Sequence, residues 1–158
     1  MNVVLRRLRA DEEEAWRALS MRRYADDMIE NAGLEEGAAR RKADEDFARA
    51  LPDGIATAGH AVFAVETEGG ERVGHAWLAD RELQPGRRVG FVYEIYLEKE
   101  QRGKGYGRAA MRALEAEAEE LGLRRVELNV FGGNDVARAL YRSLGYREVA
   151  VYMGKDLA

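Results

Sequence analysis

The 158-residue sequence contains no cysteine and only two prolines. Without cysteine, the chain cannot form disulfides, thiolate metal sites or acyl-cysteine intermediates. No apolar run approaches the roughly 18 residues of a membrane span. The first residues, MNVVLRRLRADEEEAW, hold no apolar stretch long enough for a signal peptide. We therefore expect a soluble, cytoplasmic protein that has no membrane partner.

A large excess of charge of one sign is also lacking. The chain has 25 basic and 29 acidic residues, for a net charge of -4. A general surface for polyanions is not expected, so nucleic acid is a poor partner, although a local basic loop remains open. Hydrophobic residues make up 46% of the chain and charged residues 34%, which is typical of folded proteins. The length predicts one domain, residues 1–158.

Hydrophobic periodicity and turn residues divide the chain into elements in the order β, α, α, β, β, β, α, β, α, β. The predicted elements are a strand at 3–8, a helix with Asp11 as its N-cap, a helix at about 35–50, two strands around TEGGE, a strand at 89–97, a helix ending at Gly122, a strand in RRVELNVF, a helix in NDVARALYRSLGY and a strand in REVAVYMGKDL. The hairpin requires antiparallel pairing, whereas the strand, helix and strand across 89–130 require a parallel crossover. The fold class is therefore α/β with a mixed sheet.

A basic, glycine-rich loop follows the predicted central strand and opens an amphipathic helix. Its glycines and basic residues alternate: Arg102, Gly103, Lys104, Gly105, Gly107 and Arg108. Unpaired amides at a helix N-terminus, released by glycine, can close around phosphate oxygens. A solvated tight turn is the alternative for an isolated GKG, but the strand before the loop and the helix after it favour an anion site.

Two nucleotide motifs are alternatives for this loop. A P-loop requires Gly-Lys followed by Ser or Thr, and Lys104 instead precedes Gly105. Gly105 to Ala110 fits the loose GxGxxA pattern of a dinucleotide-binding domain, and Glu127 follows at about the position of the ribose-binding acid. Only about 50 residues follow the loop, too few for a doubly wound sheet, so this alternative is remote.

Arg102 to Gly107, RGKGYG, resembles the R/Q-x-x-G-x-G/A signature of the GNAT superfamily of acetyl-CoA-dependent N-acetyltransferases. LNVFGGNDVARALYRSLGY, Leu128 to Tyr146, is similar to a later segment of the same family. These matches cover 89–146, and the first 88 residues fit the family by element order only. The resemblance implies a three-layer α/β/α sandwich of the acyl-CoA N-acyltransferase type (α+β in some schemes), with acetyl-CoA as cosubstrate and no metal.

The resemblance also implies where the cofactor lies. The parallel strands at about 89–97 and 125–131 would splay apart, and the pantetheine arm would bond to the exposed strand edge in the gap. The residues implied in cofactor binding are Ile95, Tyr96 and Leu97 at the edge, Arg102, Gly103, Lys104, Gly105, Tyr106, Gly107 and Arg108 around the pyrophosphate, and Asn134 on the next helix.

Two side chains are the predicted catalytic groups. Tyr141, seven residues after Asn134 and therefore on the same helix face, resembles the family's general acid. The alternatives are an ordinary N-cap for Asn134 and a core aromatic for Tyr141. Glu94 is the candidate base because it is the lone charge in the central strand; burial would raise its pKa, or it would act through a water. The alternatives are a strand glutamate paired with an arginine, and His60 or His75 as the base, although both histidines look structural.

The acceptor remains open beyond a primary amine of a small molecule or peptide. We expect it to be selected by residues 20–60 and by the surroundings of Glu94. An acidic group on the first two helices could attract a cationic amine, although a solvated helix face is commoner: Asp26, Asp27, Glu30, Glu35 and Glu36. A catalytically weak acyl-CoA-binding sensor or accessory domain is the competing function. The segment after Gly145 is short, so another subunit could complete the last strand, and we expect a homodimer.

Overall fold

The computed structural model describes all 158 residues and contains five strands and four α-helices. The strands are β1 (Val3–Arg7), β2 (His60–Thr67), β3 (Arg72–Gln84), β4 (Arg87–Leu97) and β5 (Val126–Leu128). The helices are α1 (Glu13–Ala32), α2 (Glu36–Ala50), α3 (Tyr106–Glu120) and α4 (Asp135–Ser143). The strands lie in one sheet in the order of their numbers, with antiparallel pairs from β1 to β4 and a parallel β4–β5 pair. The predicted mixed sheet is confirmed.

The helices cover both faces of the sheet. Trp16 of α1 and Phe47 of α2 pack against Trp77 of β3 on one face. Met111 and Leu114 of α3 are fully buried on the other face, where α4 also packs. Each such large side chain contributes about 1.5–3 kcal/mol by leaving water. The three-layer α/β/α fold is therefore confirmed, and no helix is both long enough and apolar enough to span a membrane.

A β-bulge in the middle of β4 arranges the side chains between the sheet and the first two helices. Trp77 of β3 pairs with Glu94, but the next residue, Leu78, pairs with Val92, so Tyr93 is the extra residue. A bulge breaks the alternation of side chains along a strand. As a result, consecutive residues Tyr93 and Glu94 both face the α1–α2 layer.

The parallel strands β4 and β5 separate soon after they meet. Their pairing covers only Gly90–Val92 and Val126–Leu128, whereas β4 stays paired with β3 as far as Leu97. From Tyr93 to Leu97, the edge of β4 that faces β5 therefore has no strand partner. The strand β5 is shorter than the predicted RRVELNVF, since residues 124–125 and 129–131 are not part of it.

Two sequence predictions about element ends were wrong. The last strand does not form: residues 147–158 contain no strand, and Val149, Val151, Tyr152 and Met153 are exposed. Alternating apolar residues predict a strand only where a neighbouring strand can pair with it, and this segment has none within the chain. The N-cap position of the first helix is Glu12 rather than Asp11, because Asp11 lies in a short 3-10 turn, Ala10–Glu12, that precedes the helix; the Glu12 carboxylate accepts the Arg9 amide at the start of that turn at 2.8 Å.

Candidate active site

Glu94 lies at the centre of a buried hydrogen-bond network between β4 and α1. Its Oε1 accepts hydrogen bonds from His75 Nε2 at 2.7 Å, Ser20 Oγ at 2.8 Å and Trp16 Nε1 at 3.2 Å. Its Oε2 is 3.4 Å from Nη1 of Arg23. The side chain is 14% exposed. Because Oε1 already has three donors, Oε2 is the oxygen that can accept a further one.

The network sets the ionisation of Glu94. Burial alone raises the pKa of the carboxyl group, but the hydrogen bond and charge of His75, with Ser20 and Arg23, outweigh burial and lower the pKa below its ordinary value. The expected rise in the pKa of Glu94 was therefore wrong, and the arginine pairing considered as the alternative is present. A carboxylate that stays ionised holds an ammonium or orients a water more readily than it retains a proton.

A cavity of about 620 Å³ opens beside Glu94, between α1, α2 and the sheet. Three aromatic side chains, Phe47, Trp77 and Tyr93, form much of its apolar wall. The rings of Trp77 and Tyr93 are stacked, with centroids 4.5 Å apart and planes 18° apart. The remaining wall is polar and carries Tyr24, Lys42, Asp46, Arg49, His60 and Arg81. None of the acidic residues considered as an attractor for cationic amines lines this cavity.

The two histidines differ in their surroundings. His75 is 1% exposed and belongs to the Glu94 network. His60 lines the cavity, and its Nδ1 accepts a hydrogen bond from Trp77 Nε1 at 3.0 Å. Burial, and then the positive charge of Arg81, lower the pKa of His60, so the ring is neutral at neutral pH. Both contacts favour a positioning role over that of an independent base.

The glycine loop adopts the backbone conformation that its sequence predicts. Gly103 has φ of 75° and Gly105, the N-cap of α3, has φ of 90°, a region that other residues rarely occupy. The amides of Tyr106, Gly107 and Arg108 lie in the first turn, where no earlier helical carbonyl can accept them. That first turn contains no acidic residue. The loop therefore presents several backbone donors to an anion.

The basic side chains of the loop are not neutralised by carboxylates. Arg102 donates from Nε to the Leu97 carbonyl at 3.1 Å. Lys104 donates from Nζ to Gln101 at 3.2 Å, and Arg108 donates to Ser143 Oγ at 2.6 Å. These neutral partners orient the side chains and leave their charges uncompensated. The end of β4 is therefore locally positive in a protein whose net charge is -4.

Asn134 at the start of α4 and Tyr141 within it differ in their hydrogen bonds to the protein. Asn134 Oδ1 accepts the Ala137 amide at 3.2 Å, so Asn134 is an N-cap, as its alternative interpretation held. The ring of Tyr141 packs against the core beside α3, whereas its hydroxyl makes no hydrogen bond to the protein and reaches solvent. Burial raises the pKa of Tyr141, so the phenol stays protonated at neutral pH. The Tyr141 hydroxyl and the Asn134 Nδ2 group are therefore left free for another molecule.

Residues 10–146 match the model of the acetyltransferase (GNAT) family. This chain belongs to the GNAT family. Its relatives include the N-acetyltransferase YdgE of Bacillus subtilis, 31% identical over 99% of both chains. The GNAT chain also superimposes on the crystal structure of the acetyltransferase YycN of Bacillus subtilis, with a TM-score of 0.92, 27% identity and 99% of both chains covered. The aminoglycoside N-acetyltransferase AAC(6')-Iy, solved with the bisubstrate analogue CoA-S-monomethyl-acetylneamine, has the same fold at a TM-score of 0.64 and 17% identity, with 100% of this chain and 99% of that chain covered.

The family membership confirms the resemblance and makes the protein an N-acetyltransferase. The remote dinucleotide alternative is excluded because three of the four strand pairs are antiparallel. Sequence reasoning missed Ser20 and Arg23 as partners of Glu94, and Arg81 as part of the cavity. Part of this arrangement does have a signal in the sequence: His75 and Trp77 are two residues apart on one strand, so both face the same layer.

Proposed function

We propose that this GNAT enzyme transfers the acetyl group of acetyl-CoA directly to a primary amine of a small molecule or peptide. The observation that carries the proposal is the unpaired edge of β4 from Tyr93 to Leu97. This edge begins beside Glu94 and ends at the glycine loop, so one stretch of backbone connects the carboxylate to the anion site. A thioester with a long amide-containing arm and a pyrophosphate matches that arrangement.

In the proposed complex, the backbone of Ile95, Tyr96 and Leu97 bonds to the pantetheine amides as a replacement for a neighbouring strand. The backbone amides between Gly103 and Arg108 hold the pyrophosphate, with charge from the three basic side chains of the loop. Asn134 contributes through its Nδ2 group, because its Oδ1 is used as a cap. Support comes from AAC(6')-Iy, which has this fold and was solved with a CoA-linked bisubstrate analogue.

The proposed chemistry needs one group for each proton. The acceptor arrives as an ammonium, and the ionised Glu94 holds it or the water that takes its proton. The neutral nitrogen attacks the thioester carbonyl carbon, the carbon–sulfur bond breaks, and the leaving thiolate takes the proton of the Tyr141 hydroxyl. The nitrogen loses two protons in all: the first leaves the ammonium for water near Glu94, and the second leaves after the attack and restores the Tyr141 hydroxyl through solvent. The route forms no acyl-enzyme, consistent with the lack of cysteine.

Replacing Tyr141 by phenylalanine tests this assignment. We expect kcat for thiol release to fall about 10²-fold or more, since a positioned general acid contributes roughly 10²–10⁴-fold. Stability should hardly change, because the Tyr141 hydroxyl has no protein partner. Tyr146→Phe is the matched control: its ring lies 5.9 Å from that of Tyr141, and its hydroxyl donates to Glu115 at 2.9 Å. That control should lose stability and keep its kcat.

The competing function, a sensor that binds acyl-CoA without turnover, gives a different result in the same assay. A sensor would bind acetyl-CoA tightly, release no thiol with any amine, and be unaffected by Tyr141→Phe. Calorimetric titration of acetyl-CoA and thiol release across a panel of primary amines separate the two functions.

The protein is also proposed to form a homodimer. The C-terminal segment, residues 147–158, exposes alternating apolar side chains, and β5 is an edge strand. If the C-terminal segment of each copy paired with the β5 edge of the other, both the exposed apolar side chains and the edge strand would be covered. Light scattering should give the mass of two chains, and Val151→Glu should give one. Val136→Glu, at a valine 85% exposed on α4, is the control that should stay dimeric, and a wild-type monomer at micromolar concentration would refute the dimer.

A further inference from the structure

We infer that the acceptor of this enzyme is an anionic amine: it carries an acidic group, several bonds from the reacting nitrogen, and Arg81 binds that group. The inference rests on the proposed function, since it takes the cavity beside Glu94 as the acceptor site. It adds the chemical class of the acceptor, which the GNAT fold alone does not specify.

Every charged side chain in the cavity wall except Arg81 has an ion-pair partner within the protein. Asp46 accepts hydrogen bonds from Tyr24 at 2.6 Å, from Lys42 at 3.0 Å and from Arg49 at 3.1 Å. Arg81 lines the same cavity and is half-buried, and its side chain makes neither an ion pair nor a hydrogen bond within the protein. A partly desolvated guanidinium with no counter-ion favours the arrival of an anion.

Aromatic rings hold the Arg81 guanidinium in place. Its central carbon lies 5.0 Å from the centroid of Phe91 and 5.5 Å from that of Tyr93. Contact with ring faces fixes the position of a cation without using its N–H donors. The five N–H donors of Arg81 are therefore free for a carboxylate or another planar oxyanion, which a guanidinium can bind in a bidentate manner.

The positions of Arg81 and Glu94 set the size of the acceptor. Glu94 pairs with Trp77, and Arg81 lies four residues further along β3, about 13 Å away at the usual rise of a strand. The Arg81 side chain shortens this gap by lying over Tyr93, next to Glu94. At the level of the backbone, this separation is longer than that between the amine and carboxylate of an α-amino acid. The stacked rings of Trp77 and Tyr93 provide a flat apolar wall beside it.

The charges disfavour a polycationic acceptor. Apart from Glu94, the charged groups that line the cavity are Lys42, Arg49 and Arg81 against Asp46. A second ammonium on the acceptor would therefore meet an excess of positive charge at short range. An acceptor with one ammonium, held at Glu94, and one anion, held at Arg81, is complementary to both ends.

Three amines that differ at one position test the inference: 2-phenylethylamine, 4-(2-aminoethyl)benzamide and 4-(2-aminoethyl)benzoate. The benzamide matches the size of the benzoate without its charge. We measure kcat/KM for thiol release and, independently, binding of each amine to the CoA-loaded protein. The benzoate should be preferred over the benzamide by about 10-fold or more, the value of one hydrogen-bonded charge pair. Arg81→Gln should reduce this preference to near parity.

Two further variants control for charge and folding. Arg87→Gln removes an exposed arginine from the same hairpin, outside the cavity, and should keep the full preference. Arg81→Lys retains the charge without the planar fork, and should give an intermediate preference. If Arg81→Gln does not fold, two other measurements test the inference. The preference for the benzoate should be intermediate in Arg81→Lys, and the preference of the wild-type protein should fall at high salt.

The outcomes distinguish this inference from the proposed function. Equal kcat/KM for benzoate and benzamide, a preference that survives Arg81→Gln, or no binding of the benzoate to the CoA-loaded protein would overturn the inference. Transfer to 2-phenylethylamine with no preference for the benzoate would overturn the inference and support the transferase function. Failure of the wild-type protein to bind acetyl-CoA would instead refute the proposed function itself.

Discussion

The two sides of the candidate active site are built from different parts of the polypeptide. The cofactor half, residues 87–146, offers mainly backbone: a strand edge without a partner and the amides of a glycine loop. The acceptor half, residues 13–84, offers mainly side chains, which come from α1, α2, β2 and β3. The bulge at Tyr93 joins the halves, because it places the Glu94 carboxylate in the wall of the cavity.

This difference explains which half can be interpreted from sequence. Backbone donors must be presented by special φ angles, and glycine is the residue that adopts them, so the cofactor half carries a recognisable motif. Side chains can be supplied by many combinations of residues on separate elements. The residues of the acceptor half can therefore differ between proteins of the same fold, and they form no short motif that can be recognised in the sequence. Each prediction below changes one residue in one half, and the affinity for acetyl-CoA shows whether the cofactor half responds.

The largest effect is expected from Gly105→Glu. At φ of 90° the new side chain strains the backbone, and its carboxylate lies where the pyrophosphate is proposed to bind. We expect the affinity for acetyl-CoA to fall about 10³-fold, equivalent to the loss of about two charge-assisted hydrogen bonds. Calorimetric titration measures this affinity directly.

Gly70→Glu is the matched control for that variant. Gly70 has φ of 87° in the β2–β3 turn, and no other group lies within 4 Å of the position of a new Cβ. Both variants should therefore lose about 1–2 kcal/mol of stability from the same backbone strain. Only Gly105→Glu should lose acetyl-CoA affinity. Equal affinities for the two variants would show that the loop does not bind the cofactor.

The sequence predicts the mixed sheet, the hairpin, the glycine loop and α4 because each has a local cause in turn residues, periodicity or caps. It also points to Glu94, as the one charge in a buried strand. It does not reveal that Ser20 and His75 bond to this carboxylate, since these contacts join residues 74 and 19 positions apart in the chain. The sign of the pKa shift of Glu94 depends on those partners, so burial alone predicted the wrong direction.

A smaller, pH-dependent effect is expected from Glu94→Gln. The pKa of Glu94 is lowered, so the wild-type carboxylate remains charged at and above its ordinary pKa of about 4.3. At pH 7 the amide should reduce kcat/KM about 10²-fold, because it cannot help to remove a proton from the ammonium. The deficit should shrink as pH rises towards the pKa of the acceptor amine, about 10, where the amine arrives neutral.

Ser20→Ala controls for disturbance of the network around Glu94. It removes one donor at 2.8 Å and leaves the carboxylate, so its effect on kcat/KM should be small and independent of pH. Acetyl-CoA affinity should be unchanged in both variants. A Glu94→Gln deficit that is constant from pH 6 to 10 would indicate a structural role for this residue and exclude it as the base.

The smallest effect is expected from Tyr24→Phe, which alters the acceptor half alone. The variant loses the 2.6 Å hydrogen bond to Asp46, and the free energy of unfolding at pH 7 should fall by about 1 kcal/mol.

The effect of Tyr24→Phe on stability should depend on pH. Burial raises the pKa of Asp46, but the hydrogen bonds from Tyr24 and Lys42 outweigh burial and lower the pKa. A lowered carboxyl pKa adds stability above the unfolded value of about 3.9, and this contribution is lost as pH falls below that value. The difference between wild type and variant in urea unfolding should therefore narrow at pH 3.5, whereas Tyr152→Phe, at a fully exposed tyrosine, should match wild type at both pH values. A change in acetyl-CoA affinity in Tyr24→Phe would show that the two halves are coupled, and would contradict the separation of backbone and side-chain roles.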